Sequence, residues 1–159
     1  MPEPNEFLAI QSLQTALRGI TVADGYHFDL AGSAVKIDPN AHIEDLIAPG
    51  GPRPFIVIEV LPDRWDLFPA SQLRLVLPVT IHWASESDVT DDASWLRTYY
   101  RGVADIERAL FANTAALAPY AMVPPRITKR SPSPLGGTEV WAMVDIDLKT
   151  HRAYGEPDV

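Results

Sequence analysis

The sequence predicts an α+β fold: a mostly antiparallel sheet with two helices packed on one face and long Pro-rich loops between the elements. Two periodicities lead there. Two stretches alternate apolar and polar residues at every second position, as half-buried strands do, a third is a short run rich in β-branched residues, and two others repeat apolar residues every three or four, as amphipathic helices do. The 15 prolines and 9 glycines gather between these stretches, where they punctuate loops. With 159 residues the chain is long enough for one hydrophobic core and too short for two, so residues 1–159 read as a single domain.

From Asn5 to about Gly19, the residues Ile10, Leu13, Leu17 and Ile20 fall on one helix face, and Gly19 supplies the stop. Tyr26 to Leu30 and Ala34 to Ile37, around the turn-forming Ala31-Gly32-Ser33, predict a small hairpin. Asp38 to Pro54, with Pro39, Pro49, Pro52 and Pro54, reads as a long loop. Phe55 to Leu61 is a β-branched strand with Ile56, Ile58 and Val60 on one face. Pro62 to Ser71 reads as a short loop carrying Trp65 and Phe68. Gln72 to Trp83 places Leu73, Leu75, Leu77, Val79, Ile81 and Trp83 on one face, and Pro78 demands an edge or a bulge because it donates no ladder hydrogen bond. Thr90, Asp91 and Asp92 offer caps to a helix from Ala93 to Ala112, whose predicted core stripe is Leu96, Tyr99, Val103, Ile106 and Leu110. On its outer side Arg101 with Asp105, and Asp105 with Arg108, are spaced as surface pairs. Asn113 to Gly137 reads as a second long loop. The strand Thr138 to Thr150 turns Val140, Ala142, Val144, Ile146 and Leu148 inward and Asp145, Asp147 and Lys149 outward.

Composition narrows the function classes. A net charge of −8 argues against a nucleic-acid-binding face, which needs clustered cations to displace counterions from phosphates. The basic cluster Arg126, Lys129 and Arg130 falls in the second Pro-rich loop and reads as a solvated tip. With no cysteine, disulfides and thiolate metal sites are excluded, and a reducing compartment suits the chain. No apolar run approaches the roughly 18 residues of a membrane span, and Met1 to Glu6 lacks the basic start of a signal peptide, so no membrane partner is expected.

Few residues are spaced for chemistry. Asp145 and Asp147, two apart on a strand, present both carboxylates on one face with Cα atoms roughly 6.5 Å apart. With Glu59 or His82 they form an oxygen-rich set of the kind that holds Mg²⁺ or Mn²⁺ in nucleases; the plainer reading is a solvated acidic sheet face. The four histidines have no zinc spacing, and no nucleophile elbow, phosphate loop or dinucleotide fingerprint is present. No catalytic residue, metal or cofactor is therefore expected. Trp65 and Phe68 either tuck onto the core or anchor a partner, since large aromatics dominate interface energetics.

Several stretches together carry a family resemblance: LQTALRGI ending the first helix, PFIVIEVLPDRW and QLRLVLPVTIHWASES in the strands, YYRGVADIERALF in the second helix, and EVWAMVDIDLKTHRAYGEP in the last strand. In this order they resemble the tail terminator (minor tail) proteins of long-tailed bacteriophages and phage-like gene transfer particles. The resemblance spans nearly the whole chain, and it is a pattern of element order and strand texture with no invariant signature. The long Pro-rich loops depart from the leaner family pattern. It implies a subunit of a hexameric ring in the virion, assembled in the host cytoplasm, that caps the head-proximal end of the tail tube, stops tube polymerisation and forms the head-tail joining surface. Its implied partners are further copies of itself, the tail tube protein and a head-tail connector protein, while DNA passes through without specific binding. On that reading Glu59, Asp145 and Asp147, expected to be solvated, approach the lumen and repel the phosphate backbone, and Trp65 and Phe68 contact a partner. The alternatives are another head-tail connector or head completion protein, or a metal-dependent nuclease built on Glu59, Asp145 and Asp147.

Overall fold

The computed structural model describes residues 5–30, 34–38, 53–68, 72–87, 92–117, 125–133 and 138–153. The predicted α+β class is the observed one. Helix α1 (Asn5–Arg18) buries Ala9, Ile10, Leu13, Ala16 and Leu17 at helical spacing. Its last turn closes on Gly19, whose N–H reaches the Thr15 and Ala16 carbonyls at 3.2 Å each. A single 3₁₀ turn (Val22–Asp24) follows, with the Thr21 hydroxyl accepting from the Asp24 N–H and Gly25 ending it at φ +83°. Strands β1 (Val35–Ile37), β2 (Phe55–Val60), β3 (Arg64–Phe68) and β4 (Gln72–Glu86) come next, then helix α2 (Asp92–Ala112), a short α3 (Thr114–Leu117), and strands β5 (Arg126–Ser133) and β6 (Glu139–Ala153).

The sheet order is β1-β2-β4-β6-β5, with β3 also on β4. Among the described strands only the β1–β2 pair is parallel. The backbone of the sheet is the β4–β6 ribbon, paired without a break from Gln72 opposite Ala153 to Glu86 opposite Glu139. Strands β2 and β3 lie end to end along the other side of β4, β2 facing its second half and β3 its first. Between them residues 61–63 stand against Leu77 and Pro78, one residue too many for a regular ladder. Pro78 lies at this break. Its carbonyl accepts from the Leu61 N–H at 3.0 Å, and its missing donor faces the same irregular side, as the sequence required.

One sheet face is largely apolar, with a buried Thr150 opposite Leu75. Ile56 and Ile58, Leu75 to Trp83 at alternate positions, and Val140 to Leu148 at alternate positions are all buried beneath α1 and α2. Trp83 sits at the centre, in an edge-to-face pair with Phe28 whose ring centroids are 5.2 Å apart. Gly102 of α2 lies directly over it: a Cβ there would come within 2.5 Å of the ring, so only glycine lets the helix rest this close.

Four expectations need correction. Tyr26 to Leu30 forms no strand, because Asp105 takes the His27 and Phe28 N–H groups that a hairpin ladder would use; Val35 to Ile37 pairs instead in parallel with β2. Trp65 and Phe68 lie on strand β3, not in a loop. The stretch read as a loop after Asn113 contains α3 and the edge strand β5, whose Pro132 and register shift between Ile127 and Lys129 hid its strand period. Leu96 is not a core residue: it lies on the flank of the buried α2 stripe and is 47% exposed. Most of the loop predicted from Asp38 to Pro54 falls outside the described residues.

Candidate functional site

The second sheet face carries the residues singled out from sequence, and strand register sets their order. Glu59, Thr80, Asp145 and Lys129 stand directly opposite one another across β2, β4, β6 and β5. Val57, His82 and Met143 make the row above, and Pro78, Asp147 and Arg126 the row below. The three carboxylates are therefore brought onto one face, as alternation predicted. They do not converge. Glu59 Oε2 meets His82 Nε2 at 2.7 Å, Asp145 Oδ1 accepts from the Thr80 hydroxyl at 2.8 Å, and Asp147 Oδ2 accepts from Arg64 at 2.9 Å. Among the described residues no group of three His, Asp or Glu side chains is placed to hold a metal ion.

The expectation that these carboxylates are solvated does not hold. Asp147 is buried, Asp145 half-buried, and Glu59 largely covered beside a buried His82. The face is not uniformly polar either. Phe55, Val57 and Ala84 form a second small apolar cluster, and the ring of Trp141 lies 5.6 Å from that of His82. A buried carboxylate needs a partner, which is why each of the three has a cation or a donor against it. The cations are present as well: Arg64, Arg126 and Lys129 are exposed on this face, so its charge is mixed and not acidic. His82 Nδ1 is buried with no hydrogen-bond partner among the described residues.

Trp65 stands opposite Leu75 and Phe68 opposite Gln72. Three apart on one strand, the two positions belong to opposite faces of the sheet; their side chains lie outside what the structure describes. The basic residues of the predicted loop are on β5, where Arg130 is ion-paired to Glu107 of α2 while Arg126 and Lys129 face solvent.

Sequence reasoning missed the roles of Asp105 and Arg108. The side chains point across to the segment after α1, away from their predicted neighbours on the helix. The buried Asp105 carboxylate accepts from the His27 N–H at 2.8 Å, the Phe28 N–H at 3.0 Å and His27 Nδ1 at 2.8 Å. Arg108 donates to the Gly25 and Asp24 carbonyls and lies over the Tyr26 ring at 4.5 Å. An acid and a base one turn apart thus hold the donors and the acceptors of a single strap. No local signal distinguishes this from a surface pair, because the partner backbone is more than 75 residues away.

At the start of α2, Trp95 stacks on Tyr99 at 5.9 Å and Tyr100 meets Tyr99 edge-on at 5.1 Å. Burial pushes the Tyr99 phenol above its ordinary range; Tyr100 and Glu107 add to this, and Arg130 opposes it. On the outer side of the same helix Leu96, Tyr100 and Phe111 are exposed alongside Arg97 and Arg101. No protein-family model matches the chain, and comparison with characterised proteins finds no significant match.

Proposed function

We propose that this chain is a structural assembly protein, a ring subunit that caps the head-proximal end of a phage-like tail tube, ends its polymerisation and presents the surface that joins the head. The observation that carries the reading is the correspondence between the resemblance and the skeleton of the fold. The stretches that resemble tail terminators fall on α1, β2, β4, α2 and β6 in chain order, and two of them form the 15-residue strands of the unbroken β4–β6 ribbon. Partners on this reading are further copies of the chain, the tail tube protein and a head-tail connector.

The test is binding to purified particles. The chain should co-sediment with tail tubes, cap one end of them in electron micrographs and block further addition of tube subunits. Binding to heads alone would make it a head completion protein, and binding to neither would remove the proposal. For the nuclease alternative, heat on titration with millimolar Mg²⁺ or Mn²⁺ that is lost in Asp145→Asn would reverse the assignment.

A further inference from the structure

We propose that the part of the second sheet face around Asp147 binds the phosphate backbone of nucleic acid through Arg64, Arg126, Lys129 and Lys149. This goes beyond the ring-subunit reading and does not depend on it.

Strand register gathers these cations. Asp147 of β6 stands opposite Arg126 of β5, Asp145 opposite Lys129, and Lys149 opposite Val76, whose partner on β3 is Arg64. All four belong to the second face, within the roughly 14 Å of the three strand spacings from β3 to β5. The Arg64 side chain reaches across β4 to Asp147 Oδ2 at 2.9 Å, which brings its guanidinium in among the other cations. The patch is therefore contiguous.

Depth separates the two signs of charge. The Asp147 side chain is 10% exposed and Asp145 is half-buried on the Thr80 hydroxyl, whereas Arg64, Arg126 and Lys129 are exposed and Lys149 half-buried. Glu59, the third carboxylate of the face, lies beyond β4 and is turned to His82. A face that is mixed in composition is thus cationic at its surface here. Arg126, Lys129 and Lys149 make no ion pair with any described residue, in a chain with 21 acidic and 13 basic residues. Such a surplus of acid could neutralise every base, yet these three stand open side by side.

The rest of the patch chooses between an acidic protein and a nucleic acid. Protein interfaces are anchored by large apolar side chains. Every large apolar residue exposed among those described lies on α1, the 3₁₀ turn, β1, α2 or at Leu61, and none on β4, β5 or β6. Phosphates need no such anchor, since cations alone supply the sequence-independent part of nucleic-acid affinity. Trp141 is buried, so β6 offers no exposed ring for bases to stack on, and the contact is to the backbone. The net charge of −8 opposes approach from a distance, but at physiological salt charges more than about 8 Å apart are largely screened, so the local cations decide at contact.

Fluorescence anisotropy of a labelled duplex DNA, titrated with the full chain from about 50 to about 200 mM salt, tests the proposal. Three to four phosphate contacts predict a slope of log affinity against log salt of about −3, a fall of roughly 40- to 150-fold across that range, with duplexes of unrelated sequence bound alike. Arg126→Glu with Lys129→Glu should weaken binding at least about tenfold and flatten the slope by about 2. Arg97→Glu with Arg101→Glu changes the net charge equally, on α2 at the other side of the sheet, and should bind like the wild type. Melting temperatures check folding, and Arg126→Gln with Lys129→Gln repeats the test should the charge reversal lower them. No binding at about 0.1 mM chain in the lowest salt would overturn the proposal. An equal loss in both pairs of variants would overturn it too, as would capture of polyglutamate in place of DNA. None of these results bears on capping of tail tubes, which is tested separately.

Discussion

Adding one methyl group at Gly102 sets helix propensity against packing, and the distances decide which prevails. In an exposed helix interior, Gly→Ala stabilises by about 0.8–1 kcal/mol. Here the new Cβ would meet three atoms of the Trp83 ring at 2.5, 2.6 and 2.6 Å. Carbon atoms in contact settle at about 3.5–4.0 Å, so α2 must lift by roughly 1 Å or the ring must turn. Neither is free to move. Trp83 is 1% exposed and packed against Phe28, and α2 is held by Asp105, Arg108 and Glu107. Overpacking of this kind costs about 1–3 kcal/mol, and a clash this deep with an aromatic face belongs in the upper half of that range. The net effect of Gly102→Ala is a loss of about 1–2 kcal/mol, which in a chain of this size lowers the melting temperature by about 2–8 °C. Circular dichroism melts of the wild type and the variant measure it. In a Trp83→Phe background the ring atoms that the methyl meets are gone, and the same substitution should become neutral or stabilising. A variant that melts at or above wild type in the native background would refute the packing argument.

Asp105→Ala removes the acceptor for three hydrogen bonds and should cost about 2–4 kcal/mol, with the Phe28 amide exchanging far faster than amides at the centre of β4; unchanged protection at Phe28 would show that the strap is held by other contacts. Asp147→Lys places a cation where Arg64 already stands against a buried carboxylate, and should destabilise the fold by about 2–3 kcal/mol, whereas Arg64→Ala should cost about 1 kcal/mol because the Arg64 side chain is 58% exposed. Equal denaturation midpoints for Asp147→Lys and wild type would restore the solvated reading of that face. Tyr99 is held protonated beyond the ordinary phenol value of 10.0, so the folded state keeps a proton that the unfolded chain releases. The resulting stability is fully present below that value and falls as pH rises above it. Tyr99→Phe should flatten the fall, and identical alkaline unfolding curves would count against it.

Strand and helix cores were legible because their burial repeats along the chain. In β4 and β6 every second residue meets the same helix-covered core, so alternation alone placed Leu75 to Trp83 and Val140 to Leu148 correctly. Legibility ended wherever a residue's partner is remote. Asp105 has the spacing of a surface pair, and only the approach of the His27–Phe28 backbone makes it a buried acceptor. β5 was unreadable because Pro132 and a register shift break its alternation while β6 still supplies the ladder. β3 was hidden between Pro62 and Pro69, its pairing provided by the first half of β4. On the candidate face, sequence placed Glu59, Asp145 and Asp147 together, but not their burial or the Arg64, Thr80 and His82 side chains matched to them, since partner choice depends on cross-strand register.

The β4–β6 ribbon also fixes how the chain must acquire its fold. Its partners are distant in sequence, and the nearest pair, Glu86 with Glu139, already encloses α2 and β5. Closing that loop carries an entropic cost before any ladder bond repays it, and the cost rises towards Gln72 and Ala153 at the other end. The least costly place for the ribbon to begin is therefore the Glu86–Glu139 end, where Arg53 makes two hydrogen bonds to Glu139 at 3.1 Å each. Forming α2 and the β5–β6 pair first, from nearer contacts, would shorten the effective loop that the ribbon has to close. Pairing at such separation belongs to the slow end of small-domain folding, and the edge of β4 that β6 covers is the surface most exposed to wrong association until that pairing is made.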